Sequence, residues 1–279
     1  MRYALDPAMP VLLRPDGAVQ VGWDPRRAVL VRPPAGLSSV ALAELLQALR
    51  SPMTTAQVQE QAVERGALDV GSVGDLVTAL ADAGVLRTVA PQRTRSASIR
   101  IHGRGPLSDL LANGLRCSGA RVARSSLTHA AAPEDTDLVV LADYLVADPR
   151  VVRELHSAGG PHLAVRVRDG TGLVGPLVIP GSSSCLECAD LHRCDRDASW
   201  PAVAAQLRDT VGNADRATVL ATAALALNQV DRVIRAVQDE GDPRRASDPP
   251  STLDATLEFD VHTHSIVSRR WSRHPRCSC

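Results

Sequence analysis

The 279-residue sequence predicts an α/β chain in two parts: a winged-helix module of strands and helices over residues 1–90, and a Rossmann-like domain over residues 99–279. Three observations carry that expectation. Short strand patterns separated by turn dipeptides precede three helical patterns in the first part. Alternating β and α patterns, opened by a glycine-rich turn, fill the second. Two tight cysteine pairs, Cys185-Leu-Glu-Cys188 and Cys277-Ser-Cys279, bracket the last third of the chain.

In the first part, residues 11–13, 18–22 and 28–31 read as strands, with Asp16-Gly17 and Asp24-Pro25 as turns. Residues 37–49 follow as a helix with Leu42, Leu45, Leu46 and Leu49 on one face and Ser38 or Ser39 as cap. Thr54-Thr55 caps a second helix that ends at Gly66. Residues 72–83 form a third, closed by Gly84, and Val85-Leu86 return as a strand. DNA binding is the obvious work of such a module, but the third helix argues against it. Asp75 and Asp82 lie on it with no arginine between them, and approach to phosphates favours basic side chains. Peptide capture by strand addition is the alternative. An extended peptide would pair with the edge strand formed by Ala28, Val29, Leu30, Val31 and Arg32, beside Arg26 and Arg27. Its apolar side chains would lie against Leu76, Val77 and Leu80, whose default role is core packing. Residues 91–98, PQRTRSAS, read as a linker.

In the second part, residues 98–101 form a strand, followed by His102-Gly103-Arg104-Gly105-Pro106 and a helix over 107–115. Residues 137–141, DLVVL, have the continuous apolar character of a strand buried in a parallel sheet. A helix over 151–157, a strand over 162–167 and a long helix over 214–237 continue the alternation. Residues 254–267 read as a strand in which His262 and His264 share a face. They are an alternative ligand pair, but an ordinary strand face is favoured while four cysteines are available. The nucleotide fingerprint is incomplete. Gly103 and Gly105 are present, but Ser108 stands at the third glycine position and Pro106 removes a phosphate-binding N–H. The stretch RVARSS after the second strand supplies no acid for a ribose. The expectation is a dinucleotide-type scaffold that has lost its nucleotide.

The cysteine pairs point to a metal. Cys185, Cys188, Cys277 and Cys279 would complete the tetrahedral shell that zinc prefers in structural sites. Disulfides or unrelated core thiols are the alternative. They are disfavoured because residues 1–10 lack the apolar run of a secretory leader and a cytoplasmic chain keeps few disulfides. Cys117 is expected in a buried helical run, and Cys194 is close enough to Cys188 to substitute as a ligand. Formal net charge is zero, so no global field draws the chain to nucleic acid or to anionic membranes. All 31 basic residues are arginine, which removes Schiff-base and P-loop lysine chemistry. No apolar run approaches the ~20 residues of a membrane span. The Ala, Val, Arg and Pro bias is that of a GC-rich, actinobacterial-type genome.

Several stretches together resemble a family. Residues 175–181 lead into Cys185-x-x-Cys188; Leu191-His192-Arg193, Asp197 and Trp200-Pro201 follow, and His274-Pro275-x-Cys277-x-Cys279 closes the chain. This set resembles the ThiF-like (E1-like) partner proteins of YcaO cyclodehydratases, which make thiazoles and oxazolines in ribosomal peptides. The opening residues 10–17, with Gln20-Val21-Gly22, resemble the leader-recognition winged helix fused to such proteins. The resemblance implies a non-catalytic scaffold that binds the leader of a precursor peptide and presents it to an ATP-using YcaO-domain protein. It implies structural zinc and admits a homodimer. Asp143 matches an ATP- and magnesium-handling aspartate of adenylating relatives, but Asp148 stands where their arginine is expected, with Arg150 offset. ATP binding at Gly103, Gly105 and Asp143 is therefore in doubt. An adenylyltransferase acting on a peptide or carrier-protein C-terminus is the second reading, and a zinc-stabilised transcription factor is the third.

Overall fold

The computed structural model describes residues 1–89, 95–126, 135–239 and 249–279. They fall into two compact units, Met1–Gln92 and Arg93–Cys279.

The first unit runs β1 (Arg2–Leu5), β2 (Val11–Leu13), β3 (Val19–Val21), β4 (Val29–Val31), α1 (Ser39–Ala48), β5 (Met53–Thr54), α2 (Thr55–Glu64), α3 (Val70–Asp82) and β6 (Leu86–Val89). Two small antiparallel sheets result, in the orders β5-β1-β6 and β2-β3-β4. Each helix begins where a side chain meets its orphan amides. Ser38 Oγ accepts the Ala41 N–H at 3.1 Å. Thr54 Oγ1 accepts the Gln57 N–H at 3.2 Å while Gln57 Oε1 accepts the Thr54 N–H at 2.9 Å, a reciprocal capping box. Asp69 caps α3 through the Gly71 N–H, which starts that helix two residues before the sequence pattern does. Leu42, Leu45 and Leu46 of α1 and its C-cap Leu49 pack with Val19, Val21 and Val31 of the sheet and with Val73, Val77 and Leu80 of α3. Val77 and Leu80 are thus buried core residues and cannot line a groove in this conformation. Leu76 alone of the three keeps exposed surface.

Register decides what β4 offers. Arg14 N–H donates to Ala18 O, and Gly22 N–H donates to Pro10 O. In β3, therefore, Gln20 turns its backbone polar groups toward β2, whereas Val19 and Val21 turn theirs toward β4. Their partners are Val31 and Val29. Leu30 consequently points its N–H and C=O away from β3, to a side where no described strand pairs. Its side chain shares an outward row with Leu12 and Gln20.

The second unit runs β7 (Ser98–His102), α4 (Pro106–Gly114), β8 (Arg121–Ser125), β9 (Leu138–Ala142), α5 (Pro149–Ser157), β10 (His162–Arg168), β11 (Thr171–Val178), α6 (Leu186–Arg196), α7 (Trp200–Leu207), α8 (Arg216–Asp239), β12 (Ala255–Asp260) and β13 (Ser265–Arg270). One sheet of seven strands has the order β13-β12-β11-β10-β9-β7-β8. Strands β8, β7, β9 and β10 are mutually parallel; β11, β12 and β13 extend the sheet antiparallel. Ile99, Ile101, Val140, Leu163 and Val165 bury one face with α4 and α8. Val139, Leu141 and Ala164 bury the other with Val151 and Leu155 of α5 and with the start of α6.

Three expectations change here. Residues 91–94 of the expected linker lie outside the described residues, but Ala97 is already fully buried and Ser98 begins β7, so the fold starts inside the span read as linker. His262 and His264 sit in the turn of a β12–β13 hairpin, where His264 adopts φ 54°, and do not share a strand face. Cys117 lies in an exposed 3-10 turn after α4, because the apolar run ends at Leu115.

His162 is fully buried at the start of β10. Its Nδ1 is 3.0 Å from Gly160 O, and its Nε2 has no hydrogen-bond partner among the described residues. Burial pushes its pKa down to about 4. The unfolded chain takes up this proton near pH 6.5, the folded one only near 4. Stability should therefore be full above about pH 6.5 and fall as pH drops toward 4. Urea midpoints measured across that window should show the loss, and His162→Leu should flatten it.

Candidate functional site

From β7 the chain crosses through α4 to β8 on one side, while β9 flanks β7 on the other. The carboxyl ends of β7 and β9 therefore bound the crevice where open α/β sheets hold ligands. Gly103, Gly105 and Asp143 meet at this point. A Cβ on Gly103 would lie 2.4 Å from Ala142 O, and one on Gly105 would lie 2.8 Å from the Asp143 carboxylate. The glycines let the β7–α4 turn press against the end of β9. Asp143 is buried and adopts φ 72°, a left-handed backbone held by its N–H to Val165 O and its C=O from Gly212 N–H, each 3.0 Å. Its Oδ1 accepts the Leu107 N–H at 2.8 Å and its Oδ2 the Ser108 N–H at 3.2 Å. Those amides open α4, and together with the positive end of the helix dipole they form the seat a phosphate would take. Here the chain's own carboxylate takes it. Ser108 Oγ accepts the remaining nearby donor, Gly105 N–H, at 3.1 Å.

The four predicted cysteines converge. Sγ–Sγ distances are 3.7 Å for Cys185–Cys188, 3.6 Å for Cys185–Cys277 and 3.4 Å for Cys188–Cys279. A tetrahedral ion with bonds of about 2.3 Å spaces its sulfurs about 3.8 Å apart, so the set fits one metal ion. Cys185 also caps α6: its Sγ accepts the Cys188 N–H at 3.4 Å. Without a cation the thiols obstruct one another. Burial, followed by thiol hydrogen bonds, pushes Cys185 well above the ordinary thiol range and Cys279 up to about 11. Burial opposes the Cys188 thiolate too, but backbone hydrogen bonds involving Cys185 and His274 bring its pKa below the usual value. A divalent cation held by these four residues would remove this conflict by stabilising all four thiolates.

A second layer braces the cysteines. His274 Nδ1 accepts the Arg276 N–H at 3.1 Å, so its proton sits on Nε2 and donates to Asp195 Oδ2 at 2.8 Å. Arg276 also pairs with Asp195. His192 Nε2 donates to Ser272 O at 3.1 Å. Arg193 lies 5.1 Å from the Trp200 ring and 5.5 Å from that of Trp271. His192, Asp195 and His274 are close enough to be read as a second metal site. The tautomer of His274 opposes that use, because the nitrogen facing Asp195 carries the proton. The carboxylate that braces the cluster is Asp195, whereas the sequence motif points to Asp197. Cys194 lies on α6 outside the four-sulfur set. Asp195, Trp271 and Asp254, whose Oδ1 accepts the Ser184 N–H at 2.6 Å, were not singled out from the sequence. Their partners are distant along the chain, and only helical spacing from Cys188 hinted at Asp195.

No protein-family model matches the chain, and no curated protein matches it. Solved structures do. E. coli MccB, solved with ATP, superposes with a TM-score of 0.59 at 14% identity over 100% of this chain and 99% of its own. The microcin C7 biosynthetic enzyme MccB in complex with N-formylated MccA gives 0.60 at 14% over the same shares. The heterocyclase TruD gives 0.66 at 17% over 99% of this chain and 42% of its own. The resemblance read in the sequence thus holds at the level of the fold.

Elemental analysis of the purified chain should find about one divalent ion per molecule, held by four thiolates. Cys188→Ser combined with Cys279→Ser should lose the ion and lower the melting temperature together, since metal binding is coupled to folding. Asp143→Asn should cost about 1–3 kcal/mol in urea unfolding, because an amide turns an N–H toward one of two N–H donors.

Proposed function

We propose that the chain is a peptide-binding scaffold that presents a ribosomal precursor peptide to a YcaO-type cyclodehydratase and performs no adenylation itself. The observation that carries this reading is the Asp143 carboxylate on the opening amides of α4. A nucleotide phosphate placed there would have to displace a buried anion that holds two hydrogen bonds. The fold is compatible with the role: MccB has been solved with MccA, and a heterocyclase of similar fold has been solved with substrate and cofactor. On this reading the first unit is a winged-helix leader-recognition module, and the four-cysteine ion is structural zinc, the usual occupant of tetrahedral thiolate shells.

The leader would extend the β2-β3-β4 sheet by pairing with the N–H and C=O of Leu30, flanked by Ala28 and Arg32. Val29 and Val31 turn their backbone groups inward to β3, so they hold the edge in place and do not bond the peptide. Arg26, Arg27 and Arg32 are exposed around this edge and suit an acidic leader. Exposed pairs of this kind contribute only ~0–1 kcal/mol each, so main-chain pairing and apolar contacts at Leu30 and Leu76 supply most of the affinity.

A fluorescein-labelled leader, from the precursor encoded beside a YcaO protein, measures this by polarisation. Leu30→Pro removes the outward N–H without touching the β3 ladder and should abolish binding while the protein stays folded. Val31→Pro should unfold the small sheet. Arg27→Glu should weaken binding by less than about tenfold. Binding unchanged in Leu30→Pro would refute strand addition at β4.

The adenylyltransferase reading is favoured by one observation, the likeness over the whole chain to MccB solved with ATP. Pyrophosphate exchange with magnesium–ATP and full-length precursor decides between the two. The scaffold predicts no exchange above background, and robust peptide-dependent exchange would replace it with the enzyme.

A further inference from the structure

The seven-stranded sheet ends in two edges of different character. At β8 the exposed positions are Arg121, Ala123 and Arg124, and no large apolar side chain there is exposed. Charge of this kind deters a further strand. At β13 both faces are open: Ile266, on one face, is 55% exposed, and Val267, on the other, is 45% exposed. Among the described residues no strand pairs with the outer side of β13. An edge of six residues with apolar side chains on both faces invites strand addition unless something covers it.

Register fixes which backbone groups are on offer. Trp271 N–H donates to Asp254 O at 2.8 Å, which makes these two a hydrogen-bonded pair one step beyond Arg270 and Ala255. Bonded and non-bonded pairs alternate along an antiparallel ladder. Arg269, Val267 and Ser265 therefore turn their N–H and C=O toward β12, whereas Arg270, Ser268 and Ile266 turn theirs outward.

The charges at this edge are unequal. Glu258 on β12 accepts from Arg269 and lies 3.8 Å from Arg168. Asp260 Oδ1 accepts the His262 N–H at 2.8 Å and the Thr263 N–H at 3.4 Å. The carboxylates of the hairpin are thus engaged. Arg270 and Arg273 are exposed and, among the described residues, have neither a hydrogen bond nor an ion pair. A second copy laid edge to edge would bring the same engaged carboxylates and two more free cations. A strand bearing carboxylates would complete both the ladder and the charges.

We propose that β13 is the edge on which the cyclodehydratase docks. An extended acidic segment of that partner pairs with the backbone of Ile266, Ser268 and Arg270. It sets apolar side chains beside Ile266 and Val267 and carboxylates at Arg270 and Arg273. Docking here presupposes the scaffold reading and adds a second contact to it: the leader is taken at β4 of the first unit and the partner at β13 of the second. Main-chain pairing supplies affinity and the alternating side chains select. The arginines, being exposed, act mainly on the rate and salt dependence of encounter.

Calorimetric titration of the full-length chain with the purified YcaO protein encoded beside it, at low and at high sodium chloride, tests this. Binding to the wild-type chain should weaken as salt rises. Ser268→Pro removes one outward N–H without touching the β12 ladder and should weaken binding at least ~10-fold. Ile266→Ser keeps every backbone donor, should weaken binding by about the same factor, and covers the case of Ser268→Pro failing to fold. Arg270→Glu combined with Arg273→Glu should weaken binding at low salt and flatten its salt dependence. Arg121→Glu, on the opposite edge, should bind as wild type, and all of these variants should keep wild-type affinity for the labelled leader. Unchanged binding in Ser268→Pro or Ile266→Ser would overturn docking at β13 and leave the scaffold reading standing. So would sedimentation of the wild-type chain as a dimer that Ser268→Pro dissociates, because a second copy would then hold the edge. Absence of any complex with the wild-type chain would overturn both readings.

Discussion

The carboxylate of Asp143 takes the first amides of α4, and the turn at the carboxyl ends of β7 and β9 is built around that contact. The helix N-terminus offers unsatisfied donors and a positive dipole end, and both are answered from within the chain. Reaching them forces Asp143 into a left-handed backbone, which costs about 1–3 kcal/mol for a residue other than glycine and is offset by the bonds to Val165 and Gly212. The same contact demands a turn without side chains at Gly103 and Gly105. Glycines that would mark a phosphate loop in another sequence here serve close packing against β9.

The cysteine cluster imposes the second constraint. It joins the start of α6, which follows β11, to a tail that follows β13, two segments far apart along the chain. An ion held there would close a long loop, and the bracing contacts fix the angle at which the tail arrives. Asp195 holds His274 and Arg276, and His192 holds Ser272. Hydrogen bonding to His274, aided by Arg276, keeps the Asp195 carboxyl below the usual carboxylate range, so the brace is formed across the neutral pH region. The α6 segment thus acts as a rigid strut whose apolar start, Leu186 and Cys188, completes the core on the α5 face.

What the sequence revealed follows the reach of each physical signal. Period and cap chemistry are local, so α1, α2, α5 and the buried strand β9 could be read directly, and the four thiols could be paired because their spacing is a ligand signature. Strands β1 and β5 have four and two residues and pair across distant sequence, so no alternation betrayed them. The orientation of Leu30 depends on the register of two hairpins and cannot be seen in β4 alone. Asp143 could be matched to a family position, but its hydrogen bonds to the first amides of α4 are a tertiary fact that no local signal shows.

The β4 edge poses the opposite problem to the filled seat on α4, since an unpaired strand invites any other strand. Leu12 and Leu30 expose apolar surface in one row and Trp23 lies close by in sequence, so the edge would be an aggregation hazard if it were uncharged. Arg26, Arg27 and Arg32 surround it. Two copies meeting edge to edge would bring like charges together, whereas a peptide bearing carboxylates would relieve them. On the scaffold reading, individually weak pairs would thereby decide which strand is admitted, while the backbone of Leu30 would supply the pairing. On the scaffold reading, selectivity and affinity at this edge come from different atoms of the same short strand.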